Sequence, residues 1–246
     1  MEINKLYNCD CLDLMKQMPN NFVDLIVTDP PYGLNYNDGD LAHNREKVFG
    51  GKIENMQARP IINDDEKTAM QLFRDFLKES KRILKPGACC CCCCCGGGGP
   101  KPLFAKWTLW MDKYLDFKQA VVWDKGGLGM GIHYRRNYEF MLIAKKPGAA
   151  CIWNGGKKTP NIIKMNRIIP QAKQHPTEKP VNLMAYFILL HSNKDSLVFD
   201  PFVGHGSTLV AAIKEKRNWI GSEILEEYCE IANKRIKQEQ SKLTLF

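Results

Sequence analysis

Asp29, Pro30, Pro31 and Tyr32 follow directly on an apolar run and put a carboxylate, a rigid backbone carbonyl and an aromatic ring into one tight turn. Those groups suit an exocyclic amino group of a base: two acceptors take its N–H donors while the ring stacks on the base face. A proline-rich turn around a buried tyrosine is the plain structural alternative. A second constellation lies far along the chain. Asp200-Pro201-Phe202-Val203-Gly204-His205-Gly206-Ser207-Thr208 follows another apolar run, and its glycines let a backbone approach a ligand closely. Glu223 closes the next short run, where an acid can accept from both hydroxyls of a ribose. The third spaced glycine of the dinucleotide fingerprint is missing, so this turn alone specifies little.

Positioning these groups requires strands that end at one edge of a sheet. Residues 5–8, 23–28, 120–123, 138–144, 196–199 and 219–221 read as strands, and the Cys89–Cys95 run as one more. Residues 12–18, 65–84, 103–115, 181–190, the stretch through Lys214, and 225–238 read as helices between them. That alternation predicts an α/β domain with a mostly parallel sheet covered on both faces. The two prolines after Asp29 turn the chain out of the sheet. Lys85-Pro86-Gly87 reads as a helix stop. Residues 34–63 read as a long loop, and 147–173 as a basic, loop-like segment.

At 246 residues the chain suits one substantial domain, read as 1–246. Lys and Arg exceed Asp and Glu by 35 to 27, a net charge of +8 that favours an anionic partner. No apolar stretch has the length of a membrane span and the amino terminus has no signal pattern, which points to the cytoplasm. Seven of the eleven cysteines form one unbroken run. In a strand Cys89, Cys91, Cys93 and Cys95 face one way and the others the opposite way, so a straight strand cannot gather four ligands around a metal. A packed central strand is the expectation, with no metal.

Together these motifs resemble the DNA amino-methyltransferase family, which methylates adenine N6 or cytosine N4. Asp29, Pro30, Pro31 and Tyr32 are similar to its catalytic motif, and Asp200 to Gly206 to its cofactor loop. His175-Pro176-Thr177-Glu178-Lys179-Pro180 resembles the segment that contacts the methionine end of the cofactor. Glu223 with Tyr228, Ala232, Arg235 and Ile236 resembles the ribose-binding acid and its helix. The resemblance implies a class I S-adenosylmethionine-dependent methyltransferase fold, Rossmann-like, with a mostly parallel seven-stranded sheet. The catalytic motif precedes the cofactor loop, the order of the permuted beta group. The strand 5–8 then stands third in the usual sheet, 196–199 first, 219–221 second and 23–28 fourth.

The same resemblance implies a cofactor pocket of Asp10, Cys11, Asp29, His175, Thr177, Lys179, Pro180, Asp200, Phe202, Gly204, Gly206, Ser207, Thr208 and Glu223 for S-adenosyl-L-methionine. Lys179 would pair with the methionine carboxylate and Asp10 and Cys11 would lie against the adenine ring. His205 stands where a small residue is usual, and is expected to point to solvent. The partner would be double-stranded DNA, with the target base flipped out of the stack. Tyr134, Arg135, Arg136, Lys157, Lys158 and Arg167 are candidate DNA contacts, as are Lys164 and, in the long loop, Arg45, Lys47 and Lys52. In this family the segment between the last strand and the cofactor region commonly reads sequence; here it spans only residues 147–173, which implies a short site, relaxed specificity or the help of a second subunit in a homodimer. Asp at the head of the catalytic motif is more typical of adenine enzymes and Ser of cytosine enzymes, which favours adenine N6 over cytosine N4. Methylation of RNA or of a protein amide, and a DNA-binding module without catalysis, are the remaining alternatives. The first more often has Asn in place of Asp29, and the intact Asp29 and Glu223 argue against the second.

Overall fold

The computed structural model describes residues 1–33, 62–94, 103–127, 137–166 and 179–243. Its strands are β1 (Lys5–Asn8), β2 (Val23–Thr28), β3 (Leu84–Cys94), β4 (Asp116–Asp124), β5 (Tyr138–Lys145), β6 (Ile162–Lys164), β7 (Leu197–Asp200) and β8 (Asn218–Glu223). The helices are α1 (Cys11–Gln17), α2 (Glu66–Ile83), α3 (Phe104–Tyr114), α4 (Val181–His191), α5 (Ser207–Lys214) and α6 (Glu226–Leu243). One eight-stranded sheet runs β1-β8-β7-β2-β3-β5-β4-β6. All neighbours pair parallel except β5, which is antiparallel to both β3 and β4.

The expected third, second, first and fourth strands therefore lie side by side as β1, β8, β7 and β2, although the chain visits them far apart. Sheet order reverses between β7 and β2, and a doubly wound sheet opens its ligand crevice at such a switch point. Among the described residues the sheet has eight strands, one more than expected. The extra one, β6, comes from the segment read as loop. It is a three-residue edge strand, with only Ile163 buried, and that length shows no sequence periodicity. Lys85, Pro86 and Gly87 end α2 as expected, yet they lie inside β3, where the pairing with β2 shifts register. A proline fits there because the ladder is already interrupted.

Side chains alternate through the sheet into two cores. Cys90, Cys92 and Cys94 pack with Leu14, Phe73, Phe76 and Trp107 of α1, α2 and α3. Cys89, Cys91 and Cys93 pack on the other face with Phe187, Leu209 and Ala232 of α4, α5 and α6. β3 is thus the packed central strand anticipated from the cysteine run, with small side chains buried on both faces. Cys95 lies outside the described residues. Burial pushes the Cys91, Cys92 and Cys93 thiols well above their ordinary range. They stay protonated and behave as small apolar side chains.

Among the described residues no helix is long and apolar enough to cross a membrane, and no cluster of His, Cys, Asp or Glu is arranged to hold a metal.

Candidate active site

Every parallel strand of the sheet ends at the same edge, and antiparallel β5 begins there. Asp29 therefore follows β2, Asp200 ends β7, Glu223 ends β8, Lys125 follows β4 and Glu139 starts β5, all along one rim. A cleft of about 1100 Å³, counted to its open mouth, lies over this rim and is lined by Asp10, Asp29, Tyr32, Phe202, Gly204 and Glu223 among others. Its two ends differ in chemistry.

At one end the chain builds a glycine turn. Gly206 has φ +82° and caps the start of α5 in the left-handed region. An added Cβ there would stand 3.1 Å from the Ala232 Cβ of α6. Gly204, at φ +50°, has no atom within 4 Å of an added Cβ, so its backbone faces open cleft. Helix α6 holds the turn from behind: Arg235 donates to the His205 carbonyl at 2.7 Å, and Tyr228 packs its ring 4.9 Å from the His205 ring. His205 is consequently buried at 4 % exposure, not turned to solvent as expected. The physical reason is Tyr228, whose ring gives the imidazole a face to pack on. We expect Gly206→Ala to cost about 2 kcal/mol, the sum of left-handed strain and a tight contact, seen as a lower thermal midpoint.

Glu223 stands opposite that turn. Its Oε2 accepts from the Gly204 N–H at 2.8 Å and its Oε1 from the Leu225 N–H at 2.9 Å. Burial pushes its carboxyl above the ordinary value, and those backbone donors pull it back. Each oxygen keeps lone pairs for a further donor. Asp10 sits beside it at the start of α1, accepting from the Leu12 N–H at 2.8 Å, with buried Cys11 next in the wall. Asp200 is fully buried beneath the turn. It accepts from Thr28 Oγ1 at 2.6 Å and from the Phe202 N–H at 3.0 Å, and burial raises its carboxyl to about 6. Its part is to fix the loop on the sheet. Ser207 and Thr208 begin α5 on the cleft wall, whereas Gly206 and Pro180 do not line it.

The other end is lined by Asp29, Tyr32 and Lys179, and a line of alternating charges runs on from them to Glu139 and Lys125 behind the wall. Tyr32 donates its hydroxyl to Asp29 Oδ1, and Lys179 lies 2.7 Å from Asp29 Oδ2. The same ammonium is 3.4 Å from Glu139 Oε2, and Lys125 is 3.0 Å from Glu139 Oε1. Lys179 also stands 5.1 Å from the centre of the Tyr32 ring. Burial pushes the Asp29 carboxyl up, with Lys179 and Tyr32 opposing it. Burial acts the same way on Glu139, but its two lysines prevail and hold it below the ordinary value. The structure brings Lys179, which the resemblance implies as the partner of the cofactor's methionine carboxylate, into contact with the Asp29 carboxylate. Pro180 caps the start of α4 and leaves Lys179 just ahead of the helix, at the rim.

Sequence reading missed Glu139, Lys125 and Asp64. Asp64 is buried and accepts from the Gly33 N–H at 2.8 Å, bracing the turn after Tyr32. A lone acid in the apolar strand Tyr138–Lys145 was the available signal for Glu139. Asp64, ahead of a helix, gave none. Of the candidate DNA contacts, Lys157, Lys158 and Lys164 are exposed. Lys164 is the backbone register partner of Asp124 at the end of β6, on the sheet edge over which the cleft lies. Lys157 and Lys158 follow Asn154, which binds the Leu189 and Leu190 carbonyls at the far end of α4, so their segment starts from the opposite side of the sheet. His175, Thr177, Tyr134, Arg135, Arg136, Arg167, Arg45, Lys47 and Lys52 lie outside the described residues.

A family model described as DNA methylase, of the N6/N4 methyltransferase kind, matches residues 23–234, which takes in both ends of this cleft. The chain belongs to the N6/N4 DNA methylase family. It is 26 % identical to the DNA adenine methyltransferase YhdJ of Escherichia coli (strain K12), over 96 % of this chain and 83 % of that protein. The M1.HpyAVI–SAM complex has the same fold, with a TM-score of 0.66 at 23 % identity over 94 % of this chain and 98 % of that one. So has the cytosine-N4-specific PvuII DNA methyltransferase, with a TM-score of 0.71 at 19 % identity over 96 % and 86 % of the two chains. The family therefore includes relatives of both base specificities, and membership makes this chain a DNA methyltransferase without choosing between them.

Proposed function

We propose that this DNA methyltransferase transfers a methyl group from S-adenosyl-L-methionine to the N6 amino group of adenine in double-stranded DNA. The observation that carries the reading is the meeting of the Asp29–Tyr32 turn and the Gly204–Glu223 turn in one cleft, with a carboxylate at each end. The residues of the second turn fit the donor. Gly204 leaves backbone facing open space, Glu223 keeps acceptor capacity for two hydroxyls, and Asp10 and Phe202 offer a polar and an aromatic wall. A SAM complex of the same fold accords with that fit. When bound, S-adenosyl-L-methionine supplies an electrophilic methyl group on a positively charged sulfur.

The rest is the work of Asp29, Pro30 and Tyr32. The amino nitrogen of adenine is a poor nucleophile because its lone pair is delocalised into the ring. N–H donation to the Asp29 carboxylate and the Pro30 carbonyl draws it toward tetrahedral geometry and localises that pair. Tyr32 lines the same corner and stacks on the base. Placement in line with the methyl carbon then removes most of the barrier that orientation imposes. The nitrogen sheds a proton once the new C–N bond forms, and Asp29 is the nearest base. Reaching the site requires the base to leave the duplex, at about a few kcal/mol of unstacking. Lys164 and the candidates at 134–136 and 167 would hold the phosphates through charge.

Asp29 at the head of the turn supports adenine over cytosine. DNA from a methylation-free host expressing the protein, digested to nucleosides and analysed by mass spectrometry, is expected to contain N6-methyldeoxyadenosine. N4-methyldeoxycytidine as the sole product would overturn the choice of base.

A further inference from the structure

Each oxygen of Asp29 already accepts one hydrogen bond, from Tyr32 at Oδ1 and from Lys179 at Oδ2, so an arriving amino group must share them. An ammonium at 2.7 Å draws off the negative charge that is to polarise the amino nitrogen. It also takes one of the two lone pairs that Oδ2 presents to an N–H donor. Opposite Asp29 stands Glu139, whose Oε1 is anchored by Lys125 and whose Oε2 is buried without a hydrogen-bond partner among the described residues. Its two lysines stabilise the charge, and Oε2 keeps room for a close hydrogen bond. The nearest cation to it is Lys179, 3.4 Å away and tied by its hydrogen bond to the other carboxylate.

We propose that Lys179 and Glu139 are positioning residues: Lys179 holds Asp29 ready while the base is out, and withdraws onto Glu139 Oε2 when the target amino group binds Asp29. The inference rests on Asp29 being the group that receives the amino nitrogen. The move keeps one cation between two buried carboxylates throughout, so neither is left unpaired. Lys179 precedes the first helical residue of α4 and its side chain is long, which lets the ammonium pass from one oxygen to the other without moving an element. The other groups facing Asp29 are Tyr32 from its own turn, Glu139 from β5, Asp200 from β7 and Cys93 from β3. Among these described neighbours Lys179 is the cation in contact.

The test is a pair of variants with opposite expected signs. Single-turnover methylation is measured from acid to alkaline pH at saturating S-adenosyl-L-methionine and DNA for K179M, K179R and E139Q. Burial without the lysine leaves Asp29 harder to ionise, so K179M moves the acid limb up by about one pH unit or more. E139Q leaves Lys179 to Asp29 alone, so the acid limb moves down. Its plateau rate also falls about tenfold, because the ammonium has nowhere to withdraw and competes with the amino group. K179R keeps the charge and stays near the wild-type limb. Limbs that move in the same direction, or do not move, overturn the proposal. So does K179M that weakens cofactor binding tenfold with its limb in place, which would assign Lys179 to the cofactor carboxylate. The Asp29 carboxyl is followed in parallel by carbon-13 NMR of aspartate-labelled full-length protein, its signal identified with D29N. That titration needs no turnover: a wild-type protein that methylates no DNA refutes the functional reading, while opposite NMR shifts in the two variants still decide the role of the lysine.

Discussion

Asp29→Ala lowers methyl transfer by about 10²–10³-fold or more while cofactor affinity stays within about twofold. The asymmetry follows from the geometry of the cleft. Asp29 lies at the Tyr32 end, and its partners are Tyr32 and Lys179, whereas the glycine turn is held by Glu223, Asp200 and Arg235. Removing the carboxylate deletes the acceptor that localises the amino lone pair in the transition state. A group that acts there changes the rate at saturation more than the binding of the co-substrate. Deleting one partner of a buried ion pair commonly costs about 3–5 kcal/mol of stability. Here Glu139 remains 3.4 Å from the stranded ammonium, so the folded state keeps a counter-charge for it. Asp29→Asn, which preserves shape, separates any loss of stability from loss of chemistry. Tritiated methyl transfer into DNA, with calorimetric titration of S-adenosyl-L-methionine alongside, reads both quantities. An Asp29→Ala protein that methylates at the wild-type rate refutes the assignment.

Glu223→Ala produces the opposite pattern. Its two oxygens hold the Gly204 and Leu225 N–H groups, and in the proposed complex they also accept from the cofactor ribose. Two hydrogen bonds to a charged acceptor are worth about 1.5–3 kcal/mol each. Losing them weakens the cofactor dissociation constant by about 10²-fold or more. The rate at saturating cofactor falls far less, because Asp29 and Tyr32 are untouched. Fluorescence or calorimetric titration gives the affinity, and initial rates across cofactor concentration separate KM from kcat. An unchanged dissociation constant would remove Glu223 from the cofactor site. With those outcomes the two variants would divide the cleft into a half that sets rate and a half that sets affinity.

Much of this division is legible in the residues themselves. Proline at 30 and 31 ends a strand by chemistry that no context reverses, so the position of Asp29 at a strand end follows from the sequence. Gly206 in the left-handed region and the acid at the end of the next strand are equally local. The alternation of β3 into two cores also follows, since successive side chains of a strand face opposite ways whatever their type. His205 and Lys179 show where local reading stops. Nothing near His205 in sequence reveals that Tyr228, a turn into another helix, packs on its ring. Lys179 was placed with the cofactor by resemblance, and its contact with Asp29 links residues separated by 150 positions.

The sequence by itself determined most of the elements and their order, β6 excepted, and the two turns; the neighbours of β7 followed from the family resemblance in motif order. The elements and turns are consequences of backbone sterics and of side-chain period, which act over a few residues. Only the tertiary structure decided which charges face one another: that Glu139, at the start of an antiparallel strand, meets a lysine ahead of α4 and leaves one oxygen waiting. Electrostatic partnership depends on distances through space in a low-dielectric interior, and those distances exist only once the sheet has assembled.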